Sequence, residues 1–164
     1  PQKAVLFNGT IADNLRWGKA DATDGELMEA IDAAQAADVI KAKRRGLEEK
    51  VEQSGLNFSG GQRQRLTIAR ALVRKPDILI LDDSASALDY ATDAKLRHSL
   101  KNLDYKPTVF IVSQRTSSIR HADKIIVLDH GAVAGIGTHE QLLETCPLYR
   151  EIHYSQYEKK EGAV

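Results

Sequence analysis

Hydrophobic positions gather in three dense runs in the second half of the chain: DILILD (77–82), TVFIVS (108–113) and KIIVLD (124–129). Each is short, rich in β-branched residues and apolar at nearly every position. Runs without polar alternation predict strands covered on both faces, as in a parallel sheet. The stretches between them, about 60–74, 91–102 and 115–121, carry helical patterns. Strand–helix–strand alternation predicts an α/β fold. After Asp129, His130-Gly131 turns the chain into AVAGIG, which predicts an antiparallel edge hairpin. Thr138, with Gln141 three residues on, is a capping box that opens a further helix.

The first 58 residues differ, with little strand signal. Thr23 with Glu26 is another capping box, and Leu27, Ala30, Ile31, Ala34 and Ile40 follow at helical spacing. A basic last turn and Gly46 predict where that helix stops. The expected organisation is therefore a short lead-in (1–9), a helical subdomain (10–58) and an α/β part (59–164).

Composition narrows the class. The 164 residues include 23 basic and 23 acidic side chains, well mixed, which gives no global argument for nucleic acid or anionic lipid. Cys146 is the single cysteine, so no disulfide forms within the chain, and a buried, inert thiol in a reducing setting is expected. No apolar run approaches the ~18 residues that span a bilayer. The chain starts at Pro1-Gln2-Lys3 without an initiator Met, and a piece of something longer is expected. His98, His121, His130, His139 and His153 show no metal-ligand spacing and are expected at surfaces or helix ends. Tyr149, Tyr154 and Tyr157 form a C-terminal aromatic stripe expected in core or dimer contacts.

Two segments carry candidate chemistry. In NFSGGQRQRLTIARALVRKP (57–76), Ser59 is a good N-cap and Gln62 sits at the reciprocal capping-box position. Gly60 and Gly61 occupy the first turn, where glycine is a poor helix former. Bare amides and a hydroxyl at a helix start suit phosphate; an ordinary capped helix with a loose start fits the same residues equally well. Twenty residues after Gln62, Asp82 closes an apolar strand at its carboxyl end, where α/β sheets bind ligands. An acid there can hold Mg²⁺ through water, and Asp83 would then face an attacking water.

SGGQ, then ILILDD, then SALD, in this order and spacing, resemble the nucleotide-binding domain of an ABC transporter over almost the whole chain. The resemblance implies a partial P-loop NTPase (RecA-like) core of parallel strands with a helical signature subdomain, binding ATP and Mg²⁺. Ser59-Gly60-Gly61-Gln62 match the signature loop, Ile78 to Asp82 the Walker B strand, Asp83 the catalytic carboxylate and Ser86-Ala87-Leu88-Asp89 the D-loop. Gln2 matches the Q-loop glutamine, which in the family senses the γ-phosphate and metal. LFNGTIADNLRWG and IRHADKIIVLDHGAVAGIGTHEQLL resemble bacterial multidrug and lipid exporters more than importers. Phe7 and Trp17, with Leu6 and Leu15, lie where such exporters meet the coupling helices of their membrane domain, although local core packing explains Trp17 at least as well.

Two positions depart from the family pattern. The hydrolytic carboxylate is normally Glu, and position 83 is Asp; the switch histidine normally follows VS, and Gln114 stands there. Losing one methylene draws the carboxylate back by about 1.5 Å, and a ~1 Å displacement of a catalytic group can cost ~100-fold. Gln cannot take up a proton as His does. Both changes weaken one site, which implies a site that holds ATP and seldom hydrolyses it. The intact signature implies service to a partner's ATP, hence one subunit of a heterodimeric exporter at the cytoplasmic face of the cell membrane.

No G-x-x-x-x-G-K-[ST] occurs in the sequence, nor do the first core strands or the membrane helices of such a transporter. The chain alone is therefore expected to hydrolyse no ATP, and to self-associate through an uncovered sheet edge and apolar surface. Competing readings are a soluble ABC-type ATPase of DNA repair, chromosome structure or translation, and a non-hydrolysing regulatory nucleotide module. The absence of sustained heptads and the balanced charge argue against the first.

Overall fold

The computed structural model describes residues 4–84 and 86–161, with side chains as far as Gln156. Gln2 and the side chain of Tyr157 lie outside the described residues. The chain divides into two compact units at the Val112/Ser113 junction.

In the first unit, β1 (Gly9–Thr10) pairs antiparallel with β2 (Lys50–Val51), a small ladder the sequence pattern does not announce. Between them lie α1 (Ile11–Arg16), α2 (Asp24–Ala33) and α3 (Ala37–Lys41). Thr10 with Asp13 and Thr23 with Glu26 form capping boxes that start α1 and α2. The continuous helix expected up to Gly46 is broken. Gln35 adopts φ +58°, in the left-handed region, and the break lets Ala34, Ala36 and Val39 all enter the core.

Next come α4 (Gly60–Leu72), β3 (Ile78–Asp82), α5 (Tyr90–Lys101) and β4 (Thr108–Val112). β3 and β4 pair in parallel and in strict register, Ile78 opposite Thr108 through Asp82 opposite Val112. One core joins Leu15 and Leu27 of the early helices to Leu66 of α4, Leu79 and Leu81 of β3, and Leu96 and Leu100 of α5. The expectation of two covered strand faces is met on one side only. Leu79 and Leu81 are buried, whereas Ile78, Ile80, Phe110 and Val112 on the opposite face are exposed. The strands are apolar at consecutive positions, yet among the described residues the helices pack on one side of them.

The second unit holds α6 (Thr116–Ile119), the β5 (Ile125–Asp129)–β6 (Ala132–Gly137) hairpin, α7 (His139–Thr145) and α8 (Pro147–Glu161). The hairpin is antiparallel, as its turn residues predict, with a register irregularity between Val127 and Leu128. Ile125, Val127, Leu142, Cys146 and Tyr149 make a separate small core, so the cysteine is buried as expected. Tyr149 is core, but Tyr154 is exposed. Ile126, Leu128, Val133 and Ile136 leave an apolar face open here too. No helix among the described residues is long and apolar enough to cross a membrane.

Candidate functional site

The signature-like turn is the start of α4. The Ser59 hydroxyl accepts the Gln62 amide (3.3 Å), and the Gln62 side-chain oxygen accepts the Ser59 amide (3.0 Å). The reciprocal box matches the sequence reading in full. The second glycine, Gly61, also acquires a packing reason. A Cβ on Gly61 would lie 3.0 Å from the Ala87 carbonyl oxygen, so the residue lets the chain before α5 pass close against α4. Ser59, Gly61, Gln62 and Arg65 on one side and Leu88 and Asp89 on the other border an open depression of about 280 Å³. Arg65 is held at its rim by a two-pronged contact to Asp38 (2.6 and 3.0 Å).

Asp89 is the N-cap of α5. Its carboxylate accepts the Thr92 amide (2.9 Å) and the Thr92 hydroxyl (2.8 Å). Those bonds hold its carboxyl below the usual carboxylate range. Both Ser59 and Asp89 thus use side-chain oxygens to fix their own helices while bordering the same depression.

Asp82 ends β3, half-buried, opposite Val112. Asp83 follows with φ +46°, a left-handed conformation that Asp tolerates better than most residues. Its amide donates to the Val112 carbonyl (2.9 Å), and its own carbonyl accepts the Ser86 amide (3.2 Å) and hydroxyl (2.8 Å). The short side chain at position 83 therefore has a backbone reason beside the chemical one. Two adjacent carboxylates at a strand end fit Mg²⁺, which takes one or two carboxylates and completes its shell with water and phosphate oxygens. Among the described residues no three His, Cys, Asp or Glu side chains gather as a metal cluster.

Gln114, in the second unit, has an exposed side chain. His98, His121 and His130 are exposed and the half-buried His139 opens α7, all as expected, but His153 is half-buried in the middle of α8. The rings of His139 and His153 meet at 5.0 Å, and the Tyr149 hydroxyl lies 2.8 Å from His139 Nδ1. That contact joins α7 to α8, and spacing along the chain could not reveal it.

Near the other end of the chain, Trp17 is 71% exposed and stacks on Phe7 at 4.6 Å, so the core reading of Trp17 is overturned. Leu6 and Leu15 are buried beneath. Sequence reasoning missed Asn14. It is buried, accepts the Phe7 amide (2.7 Å) and donates to the carbonyls of Phe7 (2.8 Å) and Thr10 (2.9 Å). An Asn inside a short helix carries no signal of that role.

Comparison with known proteins identifies the family and the fold. A family model described as "ABC transporter" matches residues 1–86, more than half of the 164 residues. The chain belongs to the ABC transporter family, and its fold is part of an ABC ATPase domain. An uncharacterised ABC transporter ATP-binding protein of Mycobacterium tuberculosis is 48% identical over 159 residues, covering 95% of this chain and 27% of that protein. A β-(1→2)glucan export ATP-binding/permease protein of Rhodopseudomonas palustris is 44% identical over 162 residues, covering 99% of this chain and 27% of that protein. An ATP-bound bacterial Atm1-family ABC exporter superimposes with a TM-score of 0.90 at 38% identity, over 95% of this chain and 28% of that one. The chain therefore spans about a quarter of the length of the relatives it matches.

Proposed function

We propose that this chain is part of the ATP-binding domain of a membrane exporter and that its own hydrolytic side is weak. The names of its relatives, which include an exporter fused to a permease, support export over the soluble ATPase reading. The helical stretch 10–58 would be the signature subdomain, and the exposed Phe7–Trp17 stack would face the membrane domain's coupling helices. The observation that carries the reading is the shared depression of the Ser59–Gln62 turn and the Leu88–Asp89 segment, five residues beyond an Asp82–Asp83 pair that ends a parallel strand.

In this reading the Ser59-Gly60-Gly61-Gln62 turn offers a hydroxyl and helix-start amides to the triphosphate of an ATP held mainly by a second subunit. Asp82 supplies a metal-side carboxylate for Mg²⁺, which when bound would neutralise phosphate charge; Gln2 is the other metal-side candidate. Asp83 orients water from a carboxylate set back by one methylene. Gln114 offers a hydrogen bond at the switch position but takes no proton. The partner subunit would carry Glu and His at the matching places, and the pair would act at the cytoplasmic face of the membrane.

The test is steady-state ATP turnover of the assembled transporter, native against Asp83→Glu with Gln114→His. Turnover should rise by about tenfold or more if a misplaced carboxylate limits this site. Unchanged turnover, or a native assembly made of two copies of this subunit, sinks the division of labour.

A further inference from the structure

Of the helices that begin with a resolved cap, α1, α2, α4, α5 and α7 take theirs from a residue of their own chain neighbourhood: Thr10, Thr23, Ser59, Asp89 and Thr138. The helix α6, which follows Gln114, differs. Arg115 at its N-cap makes no capping hydrogen bond. The Thr116 amide at its first position donates instead to Gln156 Oε1 (3.0 Å), 40 residues away on α8. Gln156 Nε2 in turn donates to the Gln114 carbonyl (2.7 Å). Arg115 between them is extended, with φ −92° and ψ +113°. A carbonyl at one residue and the amide two residues on face the same side of an extended segment, so one side-chain amide engages both, as a neighbouring strand would.

The assignment of the amide is unambiguous, since the reverse orientation would set donor on donor and acceptor on acceptor. A second layer holds the same point. The Thr116 side chain is buried, its hydroxyl donates to Gln156 Oε1 (3.2 Å) and it lies 3.0 Å from His153 Nδ1.

We propose that Gln156 is a positioning residue for Gln114: it clamps the backbone on either side of Arg115 and so sets where the exposed Gln114 side chain is presented. The functional half rests on the reading of Gln114 as the switch-position residue. Neither residue type nor spacing marks Gln156 for this task, and the clamp couples the last described helix to the segment that meets nucleotide in that reading.

Two measurements decide it. The first is hydrogen exchange at the Thr116 amide. Gln156→Leu should raise it about tenfold, as expected for loss of one partly buried hydrogen bond, with β5 amides unchanged. Gln156→Glu, which keeps an acceptor for Thr116, should leave its exchange near native. Native exchange at Thr116 in the Leu variant overturns the clamp, and a rise at β5 as well as Thr116 does the same, because it reports general unfolding.

The second is ATP turnover of the assembled transporter carrying Asp83→Glu and Gln114→His. There Gln156→Leu and Gln156→Glu should each lower kcat about tenfold while KM stays within about twofold. In a Gln114→Ala background the same changes should have no further effect. Equal losses in both backgrounds mean that Gln156 does not act through position 114, and the proposal fails. Turnover that ignores position 114 altogether refutes the reading beneath it, and Thr116 exchange then decides the clamp alone.

Discussion

The starts of α4 and α6 solve one problem in opposite ways. Each helix begins beside a residue expected to meet nucleotide. At α4 the solution is local: Ser59 and Gln62 cap each other within three residues, and Leu66, one turn further on, anchors the helix in the main core. At α6 the solution is remote: Gln156 reaches back 40 residues to supply what Arg115 does not. A local cap survives as long as its own helix does. A remote cap survives only while α8 stays docked, so the segment after Gln114 can be loosened without touching it.

The comparison can be broken most severely at its anchor. Leu66→Ala removes a buried side chain from the core that joins α4 to the early helices. It should cost about 2–5 kcal/mol in urea unfolding, and a loss below about 1 kcal/mol would mean that α4 does not depend on that core. Next in size is the local cap. Ser59→Ala should cost about 1 kcal/mol, with Ser59→Asp nearly neutral. An equal loss in both variants would place the role of the hydroxyl elsewhere.

The smallest effect sharpens the remote side. Burial pulls the His153 imidazole below its ordinary value of 6.5, and the neighbouring His139 and Arg120 push the same way. The folded-state value lies below the unfolded one, so folding favours the neutral ring. Stability is therefore full above about pH 6.5 and declines as pH falls through the window just beneath. Melting temperature should drop slightly on acidification across that window, and His153→Gln should flatten the slope. An unchanged slope would show that the α6–α8 contact is insensitive to that ring.

Legibility follows the same division. The strands at 78–82, 108–112 and 125–129 are readable because short runs of consecutive apolar, largely β-branched residues favour extended chain, although in the structure one face of each run stays open. The capping boxes at Thr23, Ser59 and Thr138 were readable because donor and acceptor stand three residues apart. The candidate residues Ser59 to Gln62, Asp82, Asp83 and Asp89 stand out in the same way, as short strings at a fixed spacing that resemble family motifs.

Long-range geometry accounts for what stayed hidden. The break at Gln35 is a left-handed residue that pays off only through the packing of three flanking apolar side chains. Asn14 and Gln156 look like surface amides until the chain folds back on them. Asp83 reads as a shortened catalytic acid, whereas the fold adds a backbone conformation that suits Asp. Local order thus resides in neighbouring residues, because their bonds close within a turn. The placement of Gln114, the burial of Asn14 and the open face of the β3–β4 pair resided in contacts between distant segments, whose partners no short window of residues contains.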